Sequence, residues 1–138
     1  MEKQEYLIKL QMLEQQVAQF SEQLKAIDQQ IFELNFLNKN MSILDSIKEK
    51  DMFAEIGKGI YIKTKLEKKE MLVDVGQKIL VPKNIKEIQL IINNQIKKFN
   101  KVKDEIAINI DKINSEVDNL VKKTKNDMDS NKKDKRKN

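Results

Sequence analysis

Apolar residues recur along the first part of the chain in alternating steps of four and three: Tyr6, Leu10, Leu13, Val17, Phe20, Leu24, Ile27, Ile31 and Leu34. A 3.5-residue period is the seam of a coiled coil. One column holds Leu10, Val17, Leu24 and Ile31, and the other holds Tyr6, Leu13, Phe20, Ile27 and Leu34. The pattern predicts a helix over residues 4–48. Beyond Leu34 the strict register would reach Asn38 and Asp45, yet the apolar residues continue at Leu37, Met41, Leu44 and Ile47. That predicts a local skip which overwinds the coil. Asn38 then reads as a solvated residue beside a shifted seam, with a register marker as the alternative.

The later part of the chain repeats the grammar. Ile85, Ile92, Phe99, Ile106, Ile113 and Leu120 fall seven apart without exception. Their companion column holds Ile96, Ile110 and Val117, with Gln89 and Lys103 as polar breaks. A second helix is predicted over 84–123. Asn84 is placed to cap it, and Glu87 three residues on completes a capping-box pattern just after Pro82. At ~1.5 Å per residue, helices of roughly 40 to 45 residues each extend about 60 to 65 Å. Their similar lengths make pairing within the chain, as an antiparallel coiled coil, the economical solution.

Between the helices the period changes to two. Ile60, Ile62, Thr64 and Leu66 alternate with Tyr61, Lys63 and Lys65, which predicts a half-buried strand. Phe53 to Ile56 precedes it, and two shorter runs rich in β-branched residues, Met71 to Val75 and Ile79 to Val81, follow. Gly57-Lys58-Gly59 and Gly76-Gln77-Lys78 stand where tight turns are needed, since glycine tolerates positive φ. The segment therefore predicts two β-hairpins, 52–66 and 71–81, joined by a charged bend from Glu67 to Glu70. An isolated hairpin is marginal in water, and its open edges invite pairing with another chain. The apolar strand residues Phe53, Ile56, Ile60, Ile62, Leu66, Leu72, Val73, Val75, Ile79 and Val81 are the predicted oligomerisation surface. The fold class is mainly α with a small β region.

Composition narrows the chemistry. The 138 residues fit a single domain, read as 1–125, and 36% of them are charged while only 5% are aromatic. The chain has no Cys and no His, which removes thiolate chemistry, the commonest general base and the commonest metal ligand. Pairs such as Asp104 with Glu105, or Glu116 with Asp118, do not face each other on a helix. Gly57-Lys58-Gly59 lacks the longer phosphate-loop pattern. No catalytic residues, metal site or cofactor are therefore expected, and an enzyme is not. No apolar run approaches the ~20 residues that span a bilayer, and a cytoplasmic protein without membrane contact is the expectation.

The net charge of +5 is unevenly placed. Residues 1–121 hold 19 basic and 19 acidic residues, whereas residues 122–138 hold eight basic and three acidic ones. Residues 126–138 read as a disordered basic tail. A basic tail without a basic folded face or stacking aromatics argues against nucleic acid as the partner.

The middle segment carries a family resemblance. Ala54-Glu55-Ile56-Gly57-Lys58-Gly59-Ile60-Tyr61-Ile62-Lys63-Thr64-Lys65-Leu66 resembles the first hairpin of archaeal-type prefoldin α-class subunits, and Leu72-Val73-Asp74-Val75-Gly76-Gln77-Lys78-Ile79-Leu80-Val81 resembles their second. The ordered set of heptads, two hairpins and heptads covers about residues 4–123. The chain departs from the family at Glu55, where a Pro is frequent, and at Lys78, where a second Gly is frequent. The resemblance implies an ATP-independent chaperone, a holdase, that binds unfolded proteins and passes them to a group II chaperonin. It implies a hetero-hexamer of two α and four β subunits, in which the hairpins complete β-barrels between subunits. Clients would be held at the free coiled-coil tips. Here those bring Tyr6, Leu7, Leu10 and Leu13 toward Val117, Leu120 and Val121, with Leu7 and Val121 beside the seam columns and widening its apolar face. The competing reading is a coiled-coil adaptor or scaffold that assembles through its hairpins and has no client activity.

Overall fold

The computed structural model describes residues 2–48 and 50–137, with side chains as far as Met128. A helix α1 (Lys3–Ser46) leads to strands β1 (Asp51–Gly57), β2 (Ile60–Lys65), β3 (Glu70–Asp74) and β4 (Leu80–Asn84), and a second helix α2 (Ile85–Lys137) follows. Each pair of successive strands forms its own two-stranded antiparallel sheet, β1 with β2 and β3 with β4. Two long helices with two hairpins between them is the predicted order of elements. The chain divides into two compact units, one of residues 30–98 and one of residues 1–29 with 99–138.

In the central unit, residues 30–98, the helices are held by both apolar and polar contacts. Ile85, Ile88 and Ile92 are buried on α2, while Ile31, Leu34, Met41, Leu44 and Ile47 are half-buried on α1. Asn38 is half-buried among them and donates through Nδ2 to Asn93 Oδ1 at 3.1 Å. Leu37, by contrast, is 41% exposed. The seam thus keeps its register through Asn38 to Met41 and shifts only afterwards, which corrects the expected solvated Asn38. The reason is a partner: with Asn93 to receive its amide proton, Asn38 is tolerated where an unpaired amide would not be. Gln89, read as a polar break, likewise donates to Ser42 Oγ at 2.9 Å.

The α2 start is capped as its sequence predicts. Asn84 Oδ1 accepts the Glu87 backbone N–H at 2.8 Å, satisfying one of the otherwise orphaned donors of the first turn. At the end of α1, Ser46 Oγ donates to Ile43 O at 2.8 Å, and Lys69 Nζ reaches the Asp45 carbonyl oxygen. A cation there complements the negative end of the helix dipole.

The two turns solve one geometric problem differently. In the first hairpin Lys58 and Gly59 have φ of 49° and 78°, the paired positive values that match strand twist. Gly59 N also donates to Glu55 Oε1 at 3.2 Å, and the register shifts between Glu55 and Gly57 as a bulge. In the second hairpin Gln77 and Lys78 take φ of 52° and 62° with no glycine at either position. Asp74 Oδ1 accepts the Gly76 N–H at 2.8 Å and fixes the entry to that turn. Pro82 lies opposite Leu72 on β4, in a two-stranded sheet where a missing N–H can face an open edge.

The terminal unit, residues 1–29 with 99–138, has a core of Leu13, Ile113 and Leu120. Tyr6, Leu10, Val17, Phe20 and Val117 pack against it. Ile106 is also buried. The seam lysine Lys103 reaches Asp28 Oδ1 with its Nζ at 2.7 Å while both side chains stay about half exposed. Its stem can therefore cover apolar surface as its charge stays hydrated. α2 continues to Lys137, through the segment expected to be a disordered tail. Nothing after Pro82 is Gly or Pro, Lys and Arg are good helix formers, and extending an existing helix avoids the nucleation cost.

Candidate interaction surfaces

The hairpins of the central unit present hydrocarbon that their own chain leaves uncovered. In β1–β2, Phe53 pairs with Lys63, Ala54 with Ile62 and Glu55 with Tyr61. Cross-strand partners share a face, so Ala54 and Ile62 stand with Met52 and Thr64, and the period-two pattern collects the aliphatic residues there. Ile56, Ile60 and Ile62 are nevertheless at least half exposed, as is Phe53 on the other face. Leu66 is half-buried and lines an open groove of about 280 Å³ with Leu44, Ile47 and Met52.

In β3–β4 the two faces differ. Val73 and Val81 pair with each other and are half-buried, as are the neighbouring pair Met71 and Lys83. Leu72, Val75 and Ile79 are exposed. Of the ten strand residues predicted for assembly, Leu66, Val73 and Val81 are partly covered and the other seven are open. Tyr61 and Leu80 belong to the same exposed set and escaped the sequence reading. Tyr61 shares its face with Lys63 and Lys65, which the alternation reads as the polar one.

The terminal unit gathers the seven predicted client-binding residues near one end of its seam. Leu13 and Leu120 are buried, and Tyr6, Leu10 and Val117 are half-buried against them. Leu7 and Val121 are 52% and 43% exposed. A helical step of about 100° per residue puts both on the same flank of the seam, and Met128, also exposed, falls on that flank of α2. The opposite flank is polar: Lys9, Glu116, Asn119 and Lys123 rim an open groove of about 380 Å³ over Leu120. The seam end therefore has one hydrocarbon flank and one charged flank.

Ile8 and Met12, four apart on the outer face of α1, add two further exposed apolar side chains. A search confined to seam positions passes over them, though their spacing was available. Among the described residues no group of three or more Asp or Glu is placed to hold a metal ion, and no helix is long and apolar enough to cross a membrane. What these surfaces offer is exposed apolar contact.

A family model described as "Prefoldin subunit" matches residues 6–127. No curated protein sequence matches the chain. Among solved structures the chain is similar to filamentous PFD from Methanocaldococcus jannaschii, determined by cryo-EM, with a TM-score of 0.73 and 20% sequence identity. The likeness covers 82% of this chain and 95% of that one, and it establishes the shared fold.

Proposed function

Because the chain belongs to the prefoldin family, as its match over residues 6–127 shows, we propose that it is an α-class subunit of a cytoplasmic ATP-independent holdase. The hairpins join it to other subunits, and the seam end of the terminal unit holds non-native chains for transfer to a group II chaperonin. The observation that carries this reading is the exposed apolar flank formed by Leu7 and Val121 beside a seam whose own residues are covered. Burying apolar area contributes ~25 cal/mol per Å², so two or three side chains give weak, reversible contacts. Several subunits engaging one client raise the avidity without raising the affinity of any contact. A holdase that must release its client needs that combination. Neither surface supplies chemistry, and the reading requires none.

The seven open apolar strand residues support assembly with β-class subunits and a second α subunit, as a hexamer of two α and four β chains. Leu13 and Leu120 act mainly by closing the seam, with Tyr6, Leu10 and Val117 at its margin. In the test, the chain is mixed with a β-class subunit, the assembly mass is measured, and a chemically unfolded protein is diluted into the complex without ATP. A hexamer that keeps the client soluble is expected. Replacing Leu7 and Val121 with Ser should weaken that protection while the mass stays unchanged. Full protection by the variant would remove the flank from the mechanism.

The same exposed hairpins favour one other reading, an adaptor that assembles without holding clients. A stable complex with no effect on client aggregation would establish it. Masses that grow with concentration for this chain alone would instead indicate polymerisation through the same strands.

A further inference from the structure

Asn38 occupies a place that its helix otherwise fills with hydrocarbon, between Leu34 and Met41 on the half-buried face of α1. Its amide nitrogen donates to Asn93 Oδ1 at 3.1 Å, whereas its own carbonyl oxygen is buried and accepts no hydrogen bond. One turn further on, Gln89 Nε2 donates to Ser42 Oγ at 2.9 Å. Four residues forward on α1 correspond to four residues back on α2, so the two bonds are consecutive rungs of one antiparallel pairing. A leucine would bury more apolar area at position 38 and leave no polar atom unsatisfied. Stability alone does not account for an asparagine there.

Specificity does. A seam that repeats every seven residues tolerates sliding by one heptad, ~10 Å at ~1.5 Å per residue, because apolar positions then meet apolar positions again. Polar contacts such as these rungs register the slip. In one direction Asn38 comes level with Lys86 and Ser42 with Pro82; in the other Asn38 meets Asn100 but Ser42 meets Ile96. Neither slip restores both bonds: the first leaves the half-buried Asn38 amide facing Lys86, which has no acceptor, and the second puts Ile96 level with Ser42 in place of Gln89.

We propose that the Asn38–Asn93 and Ser42–Gln89 rungs select a single register for the pairing of α1 with α2, at the expense of stability.

The full chain contains no cysteine, so nitroxide-bearing cysteines at the exposed positions Asn40 and Asn94 report one pair of sites. Labelled chain is diluted into an excess of unlabelled chain so that only distances within one molecule are read. The parent should show one narrow distance. Asn38→Leu should melt at a higher temperature and add a second population, displaced by a heptad slip. An unchanged single distance in Asn38→Leu overturns the proposal, whatever its melting temperature does. If that variant does not fold, Asn93→Leu is read by the same criterion.

Discussion

The second hairpin turns through two consecutive residues, Gln77 and Lys78, whose positive φ values would suit glycine better. A side chain in the left-handed region costs ~1–2 kcal/mol, part of which is returned because glycine loses more freedom on folding. Lys78→Gly is therefore expected to stabilise the chain by about 0.5–1 kcal/mol, read as a higher denaturation midpoint at constant slope. Asn84→Ala should do the reverse, losing about 1 kcal/mol with the bond to the Glu87 N–H. Asn84 was legible because a helix cap and the donor it satisfies lie three residues apart. Asn38 was not, because its partner lies 55 residues away and only the folded pairing brings Asn93 beside it. Polar residues in an apolar pattern are where a one-dimensional reading runs out, since their meaning depends on what stands opposite.

At the scale of elements, the heptads carried both helices and the period-two segment carried both hairpins. A hydrophobic stripe specifies which face is buried with little help from the rest of the fold. What the stripe leaves open is how far a helix runs after its partner face ends. α2 continues to Lys137, past the last seam residue that the sequence reading used. Removing residues 126–137 should accordingly reduce helical circular dichroism in proportion to the residues lost, whereas a disordered segment would leave the spectrum's amplitude unchanged. Within the terminal unit the predicted residues should separate by burial. Leu13→Ala should cost ~2–5 kcal/mol, because the cavity it leaves lies in the seam core. Leu7→Ser should stay within ~0.5 kcal/mol, since that side chain is already half in water. The sequence placed both in one site because both are apolar and near one end; burial in the folded pairing divides the part that closes the seam from the part that remains on offer.

For the molecule as a whole, the hairpins are the least self-sufficient part. Their exposed apolar residues stabilise little in the isolated chain, so Ile60→Lys with Ile62→Lys should leave its melting temperature nearly unchanged while abolishing the assembly proposed with a β-class subunit. An unchanged assembly in that variant would shift the interface to other strands or to the helices. The need for assembly was readable in the sequence because two-stranded sheets cannot bury two faces. Which residues the chain covers by itself was not readable, as burial of Val73 and Val81 depends on how the strands lie within the unit.

The division of the chain into units also bears on the order in which the protein takes shape during synthesis. The central unit draws on one continuous stretch, residues 30–98, and can begin to fold once that stretch has left the ribosome. The terminal unit joins the chain's two ends, and its core requires Leu13 to meet Leu120. Until α2 has been made through Leu120, the first turns of α1 wait with Leu10, Leu13 and Val17 uncovered. Between the synthesis of Leu13 and that of Leu120, the nascent chain is thus the kind of exposed hydrophobic segment that the finished protein is proposed to hold.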